Sequence, residues 1–320
     1  MQLPVWKQKQ EQKKFKKQKR LISLFVFFVF LLLILALSFR FYLGFKDSKI
    51  RFLNRVNFLI NFNQLYLVSL SSEGRIYLLG LPGDQEIQLT RGFGRYKIKA
   101  IFPLGELENK GLVLLEESIQ EYFGLPIMGA IGGLGNNLVC DFNRQDKKKC
   151  LETLILNSLL GKARSDFDFA ELTDLWWKVK KTSDFSLETG SLEKLGCQTE
   201  QGEVDLKCFD LLAEKNFSDE SLVREDLSVA VFNSTEFSGL GAQAARMITN
   251  SGGRVVSITN SDLNDKVLIK SKKEIAQGYT FRLLKEVFKA DWVEGSVEQG
   301  RAEIGIYLGQ DYWKKLNQKW

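Results

Sequence analysis

The distribution of apolar and polar positions divides this chain before any single residue is weighed. Residues 21–38 read LISLFVFFVFLLLILALS, eighteen positions without a charge. No polar face interrupts the run, so it lacks the pattern of a helix lying on a globular core. At about 1.5 Å per residue it spans roughly 27 Å, close to the ~30 Å hydrocarbon thickness of a bilayer. A transmembrane helix over 21–43 is therefore expected, with Phe39, Arg40, Phe41, Tyr42 and Phe45 at its outer interface. A cleaved signal peptide is the alternative, because Ala36-Leu37-Ser38 has the small residues of a cleavage site. Signal-peptide cores are shorter, about 7–15 residues, which favours the uncleaved anchor.

Past residue 46 the apolar residues fall into shorter periods. Runs at 55–61, 64–70 and 75–81 are aromatic-rich and separated by Asn-Phe-Asn and Ser-Ser-Glu-Gly, the pattern of adjacent strands with tight turns. A fourth strand is predicted at 97–102. The period then becomes helical over 108–123, with Leu112, Leu115, Ile119 and Phe123 on one face, and Gly124 and Pro126 end it. Residues 126–150 are glycine-rich and then polar, and read as loop. Two or three helices are predicted, from 151–160, 169–181 and 186–195, with Trp176 and Trp177 expected in the core and a sugar-stacking surface as the alternative. Residues 196–225 are polar, contain two cysteines, and read as a linker. The last stretch alternates more plainly: strand 227–233, helix 239–250, strands 254–258 and 266–270, helix 274–288 and strand 302–308. That βαββαβ order folds as a small α/β sandwich.

The expected fold class is therefore α/β (α+β). Its segments are a basic cytoplasmic tail (1–20), the transmembrane helix (21–43), a first domain (48–195), the linker (196–225), a second domain (226–312) and a tail (313–320).

Charge sharpens the orientation. The chain holds 45 Lys+Arg and 39 Asp+Glu, net +6. Residues 1–20 contain eight basic residues against Glu11 alone, so the remaining 300 residues carry 37 basic and 38 acidic side chains. The positive charge belongs to the tail, which places it inside, against anionic lipid, and everything after the span outside. Nothing in the outer part recruits nucleic acid.

There is no histidine, which removes the commonest general base and zinc ligand. The four cysteines fall as Cys140 with Cys150 and Cys197 with Cys208, neither spaced as C-x-x-C. Three disulfide connectivities are open, and the two local pairs are the expected ones outside the membrane. Four reduced structural cysteines are the alternative.

Gly239-Leu-Gly241-Ala-Gln-Ala244 matches G-x-G-x-x-A between a strand and a helix. The strand-to-helix turn is too long for dinucleotide binding, and an antiparallel step replaces the second parallel crossover. The glycines are better explained by close helix–strand approach.

The same stretch carries a resemblance. Val229-Ala-Val-Phe-Asn233-Ser-Thr235, Gly239-Leu-Gly241, Gly253-Arg-Val-Val and Ile306-Tyr-Leu-Gly309-Gln-Asp311 resemble the C-terminal LytR domain of LytR-CpsA-Psr cell-envelope proteins. Asn233, Thr235, Gly239, Gly241, Gly309 and Asp311 carry the likeness, with Ser234 replacing the family's middle glycine and Gly241 its alanine. More weakly, 48–195 is similar to the LytR-CpsA-Psr catalytic domain. Asn63-Gln64 stands where that family has Asp-Thr, Gly80-Leu-Pro82-Gly83-Asp84 where it has Ser-Ile-Pro-Arg-Asp, and Tyr96-Lys97-Ile98 near its Lys-Ile-Asn.

In active members of that family, arginines and aspartates hold a polyprenyl pyrophosphate and Mg²⁺ while glycopolymer passes to peptidoglycan. Here only Asp84, Lys97, Asp141 and Arg144 can be carried over, and each is also readable as a solvated surface charge. The resemblance implies a reduced first domain and a binding or scaffolding role at the cell wall, leaning away from catalysis and with no cofactor. Partners would be the bilayer and peptidoglycan, a wall glycopolymer or a wall-synthesis protein. A Mg²⁺-dependent phosphotransferase is the alternative. The expected location is the plasma membrane, single-pass, with the bulk extracytoplasmic.

Overall fold

The structure is a computed structural model, and it describes residues 19, 22–32, 34–35, 48–133, 142, 146–183, 186–199, 201–298 and 301–320. The chain separates into two compact units, Met1–Ser48 and Lys49–Trp320. In the first, residues 22–32 and 34–35 are helical and their apolar side chains are exposed. No helix among the described residues is long and apolar enough to cross a membrane. The expected span over 21–43 falls partly outside them, at residues 21, 33 and 36–43.

The second unit is mixed α/β, built on two sheets. A short helix α1 (Lys49–Phe52) leads into β1 (Arg55–Asn61), β2 (Leu65–Ser71) and β3 (Ile76–Gly80), the three strands legible from their short apolar runs. They form an antiparallel meander, with Phe58 opposite Val68 and Val68 opposite Leu78. A separate hairpin, β4 (Glu86–Leu89) and β5 (Gly94–Lys97), follows. Next come α2 (Ile98–Glu106), α3 (Gly111–Phe123), β6 (Ala130–Gly132), α4 (Lys147–Leu159), β7 (Arg164–Ser165), α5 (Phe169–Lys181) and β8 (Leu187–Ser191). The first sheet has the order β7-β6-β1-β2-β3-β8. Alternation along β1 to β3 sends Leu59, Leu67 and Leu79 to one face, under Ile101, Leu115 and Ile119 of α2 and α3. Val56, Phe58, Val68 and Leu78 go to the other face, under Leu154, Ile155, Leu172 and Leu175 of α4 and α5.

Then follow α6 (Leu206–Asn216), α7 (Glu220–Glu225), β9 (Ser228–Asn233), α8 (Leu240–Asn250), β10 (Arg254–Asn260), β11 (Leu268–Ser271), α9 (Tyr279–Phe288), β12 (Asp291–Glu294), β13 (Ile304–Leu308) and α10 (Gln310–Asn317). The second sheet has the order β10-β9-β13-β11-β12. β10, β9 and β13 run parallel, and β11 opposes β13. One face buries Val229, Val231, Ile269 and Ile306 under α8, α9 and α10. The other holds only a small cluster around the stacked Phe232–Tyr307 pair, 4.3 Å between centroids.

Polar clusters knit the two halves of this unit together. Asp219 accepts from the backbone N–H groups of Arg55 and Ser221 and from the Tyr279 hydroxyl. The Glu225 carboxylate accepts from the N–H groups of Tyr279 and Thr280, capping the otherwise open start of α9. Burial raises the Asp219 carboxyl, against the opposing pull of these hydrogen bonds and of Arg55.

Several expectations are corrected. Of the strand expected at 97–102 only Lys97 is extended, as the last residue of β5. Ile98, Ile101, Phe102 and Gly105 bury at helical spacing and form α2, although Pro103 lies inside it. Residues 186–195 are not a helix, because β8 pairs in parallel with β3 and tertiary pairing overrides local preference. Trp177 is not in the core but 53% exposed, while Trp176 is partly buried. The stretch read as a linker contains α6 and α7, and Phe209, Ala213 and Phe217 are buried in the first core. The tail assigned to 313–320 is largely helical, and α10 buries Tyr312 and Leu316.

Candidate functional site

The loops at the carboxyl ends of β9 and β13 shape a concave surface near the second sheet. After β9 the chain must turn from strand to helix over residues 234–239, and the Asn233 side chain organises that turn. Its Oδ1 accepts from the Thr235 hydroxyl at 2.8 Å and the Thr235 N–H at 3.2 Å, while its Nδ2 donates to the Phe237 carbonyl at 2.8 Å. The Phe237 N–H in turn donates to the Thr235 hydroxyl at 3.2 Å. This local network replaces the ladder that ends at residue 233 and fixes where Phe237 stands.

Gly239 then starts α8 at φ +90°, a conformation side chains disfavour. A Cβ on Gly241 would lie 2.9 Å from Cγ2 of Ile258, so its role is close helix–strand approach. At the end of β13 a Cβ on Gly309 would lie 2.2 Å from the Lys266 carbonyl oxygen. The backbone N–H groups of Gln310 and Asp311 donate to the carbonyls of Asn264 and Asp265, setting the start of α10. The Asp311 side chain lies 3.9 Å from the Lys314 ammonium. Five of these six residues thus brace backbone, Asp311 being the exception.

What they brace is an aromatic wall. β9 and β13 are adjacent and parallel, so the loop carrying Phe237 meets the helix carrying Trp313. Their rings stack with centroids 4.0 Å apart and planes 8° from parallel. The pair lines a cleft of about 700 Å³ that is also bounded by Gln88, Thr90, Glu121, Tyr122, Gln243, Arg246 and Asn317. That volume is in the range of small-ligand sites, which run about 300–1,000 Å³.

At its inner end the Arg246 guanidinium donates to both oxygens of Asp210, at 2.7 to 3.0 Å, and to the Tyr122 carbonyl at 2.9 Å. Asn250 donates to the same Asp210 at 2.8 Å. Glu121 is buried and receives the Tyr312 hydroxyl at 3.2 Å on each oxygen. Burial pushes the Glu121 carboxyl up, and the Tyr312 hydroxyl is also pushed well up, first by burial and then by that carboxylate. Polar groups here are held by one another, which gives a fixed rim around the rings.

The candidates carried over to the first domain do not come to this cleft. Asp84 is exposed in the turn before β4, 2.7 Å from Lys99 Nζ and 3.5 Å from Lys97 Nζ. The Lys99 ammonium first, and Lys97 after it, hold the Asp84 carboxyl below its usual value. A carboxylate engaged by two ammonium groups is a poor Mg²⁺ ligand, since the cation must displace both. Asp141 and Arg144 lie outside the described residues, as does Cys140. Cys197 and Cys208 are bonded, with 5.3 Å between Cα atoms, and tie the turn before residue 198 to the first turn of α6. Cys150 is also disulfide-bonded. Among the described residues no group of three or more Asp, Glu or Cys side chains is placed to hold a metal ion.

Sequence reasoning missed Phe237, Trp313, Tyr122 and Arg246. Phe237 follows the Asn-Ser-Thr turn directly and Trp313 follows Asp311 by two positions, so the braced motifs were the available signal.

Comparison with known proteins corrects the family resemblance. No family model matches the chain, and no curated protein matches it. The LytR-CpsA-Psr assignment rested on short motifs whose residues mostly prove to be backbone braces, a need shared by many α/β turns. Solved structures with partial likeness include the transcriptional regulator yvhJ from Bacillus subtilis, 16% identical with TM-score 0.31, covering 43% of this chain and 82% of that one. B. subtilis TagU is 10% identical with TM-score 0.35, covering 51% and 95%. A transcriptional regulator from Enterococcus faecalis is 10% identical with TM-score 0.35, covering 65% and 92%. Likeness at this level carries no functional argument.

Proposed function

We propose that this chain is a membrane-anchored, extracytoplasmic binding protein of the cell envelope, whose cleft at Phe237 and Trp313 holds a glycan such as peptidoglycan or a wall glycopolymer. The anchor reading rests on the uncharged run at residues 21–38 and the lysine-rich tail before it. The disulfide between Cys197 and Cys208 agrees with an oxidising compartment.

The binding reading rests on one observation, the stacked pair of rings at the edge of the 700 Å³ cleft. Sugar rings present C–H faces that lie on aromatic planes, and their hydroxyls need amide and charged partners around the rim. Gln88, Gln243 and Asn317 supply such amides here. The transferase alternative finds less support, because Asp84 is neutralised by lysines at the surface instead of facing a cavity.

The test is retention of the detergent-solubilised full chain on purified peptidoglycan. Native protein should be retained, and the Phe237→Ala/Trp313→Ala double variant should bind at least about tenfold more weakly, a loss of roughly 1.4 kcal/mol or more. Equal retention of both proteins would remove the cleft from the reading.

A further inference from the structure

The open face of the second sheet carries a smaller pocket, apart from the cleft at Phe237 and Trp313. β11 and β13 are antiparallel neighbours, with Leu268 opposite Tyr307 and Lys270 opposite Gly305. These four positions therefore lie on one face. Gly305 makes the space, since a Cβ there would lie 3.0 Å from both the Tyr307 ring and the Val297 side chain. Without one, the Tyr307 ring stacks on Phe232 with planes 4° apart. Ser234 and Ser261 close the pocket from the carboxyl ends of β9 and β10, which run parallel and end together at Asn233 and Asn260. The pocket holds about 260 Å³. Sites for drug-sized ligands run about 300–1,000 Å³, so this one suits a ligand no larger than a single sugar.

Three donors line this pocket without a side-chain acceptor to take them. Tyr307 is only 9% exposed, and its hydroxyl is buried with no hydrogen-bond partner among the described residues. The Ser234 and Ser261 hydroxyls lie 2.7 Å apart. Two hydroxyls joined by one bond use one hydrogen and leave the other free to donate. The Lys270 ammonium is 3.9 Å from the Glu298 carboxylate, beyond hydrogen-bond distance. A buried hydroxyl without a partner destabilises the fold that holds it, so its presence calls for an acceptor from outside the chain.

An ammonium and two hydroxyl donors select a carboxylate, which accepts on both oxygens and gains most from a charged donor. Glu298 shows the preference within the chain itself. Its carboxylate is drawn toward Lys270 and, after burial, is the next influence raising the Tyr307 hydroxyl's pKa. The Glu298 side chain is 62% exposed, so a ligand carboxylate seated deeper displaces only a loose contact. Asp262 and Asn264, on the loop after β10, add acceptors for ligand hydroxyls.

We propose that the pocket between Ser234, Ser261, Lys270 and Tyr307 binds a small hydroxylated carboxylic acid, of the size of one acidic sugar, through its carboxylate. The pocket shares no lining residue with the Phe237–Trp313 cleft, so the two sites stand or fall separately.

The test titrates the detergent-solubilised full chain with sodium D-glucuronate and, separately, with D-glucose, by isothermal calorimetry. Saturable binding of D-glucuronate is expected, with D-glucose and the Lys270→Met variant each at least about tenfold weaker. Tyr307→Phe keeps the ring stack and removes the hydroxyl. It should bind D-glucuronate more weakly while its urea midpoint stays level or rises, because an unpartnered buried group has gone. No saturable binding of D-glucuronate, or equal binding of D-glucose, would overturn the proposal. So would a lowered midpoint in Tyr307→Phe, which would show that the hydroxyl is already bonded within the fold. Loss of D-glucuronate binding in the Phe237→Ala/Trp313→Ala variant would assign the acid to the cleft and equally remove it from this pocket.

Discussion

The two sheets of the second unit bury themselves differently, and the difference locates the chemistry. The first sheet is covered on both faces, so nearly every inward position of β1 to β3 is apolar and its connections are committed to packing. The second sheet is covered fully on one face only, and on the other Phe232 and Tyr307 stack under little more than Val297. Its parallel strands β9 and β13 end together at one edge, and the loops there are held by side-chain hydrogen bonds instead of a second helical layer. A scaffold with spare surface at strand ends can present rings to a ligand; a fully covered sheet cannot. The cleft draws on both halves, the second supplying the stacked rings and the first supplying Glu121 and Tyr122 to its lining.

The sharpest test of that division is a truncation on each side of it. Phe123 is fully buried, its ring 4.6 Å from Phe209, where α3 and α6 pack on the first sheet. Phe123→Ala should cost about 3–5 kcal/mol, measured as a lowered midpoint in urea unfolding. Phe237→Ala, at a ring that is 36% exposed, should leave the same midpoint nearly in place. If the two variants were equally destabilised, the cleft wall would be core and the division would be false.

A smaller effect is expected at the seam between the halves. Asp210 on α6 holds Arg246 and Asn250 of α8. Its side chain and that of Arg246 remain about a third and a quarter exposed, so solvent screening reduces what the pair contributes. Asp210→Ala should cost about 1–2 kcal/mol, below the figure for a fully buried pair. Two separate unfolding transitions in this variant, in place of one, would show that the halves are coupled mainly through this contact.

Much of this architecture was legible, and the parts that were not share a cause. β1, β2 and β3 stand within a residue or so of their expected bounds, because short apolar runs bounded by turn residues mark strands buried on both faces. α5 spans 169–181 as expected, and α3 ends at Gly124 in the left-handed conformation expected of a glycine stop. β8, by contrast, has the sequence Leu-Glu-Thr-Gly-Ser, with no apolar alternation, and is a strand only because β3 offers it an edge. That edge lies more than a hundred positions earlier and leaves no trace locally.

The candidate site followed the same rule. The turn at Asn233 to Gly241 was visible as a motif, since turns need particular residues. The rings it presents were not, because Phe237 and Trp313 meet only through the pairing of β9 with β13. Asp84 and Lys97, matched to a family motif and equally readable as surface charges, pair with one another at the surface, where Asp84 also pairs with Lys99.

The finest distinction concerns Glu121, which lies under the cleft where the two halves meet. Tyr312 and Gln120 donate toward its carboxyl, Lys315 also favours its charged form, and Glu117 disfavours it, but burial outweighs these and raises its pKa. The folded state therefore binds this proton more tightly than the unfolded chain does, so the associated stability is complete below the ordinary glutamate value of about 4.3 and is lost as pH rises through the folded value. Thermal midpoints of the native protein should fall across that interval. Glu121→Gln keeps an acceptor for the Tyr312 hydroxyl and carries no charge, so its midpoint should fall less over the same range. Parallel pH profiles for the two proteins would mean that Glu121 is solvated in solution. The seam under the cleft would then be wet, and the rings above it would be held by the Asn233–Thr235 turn and the packing of α10 alone.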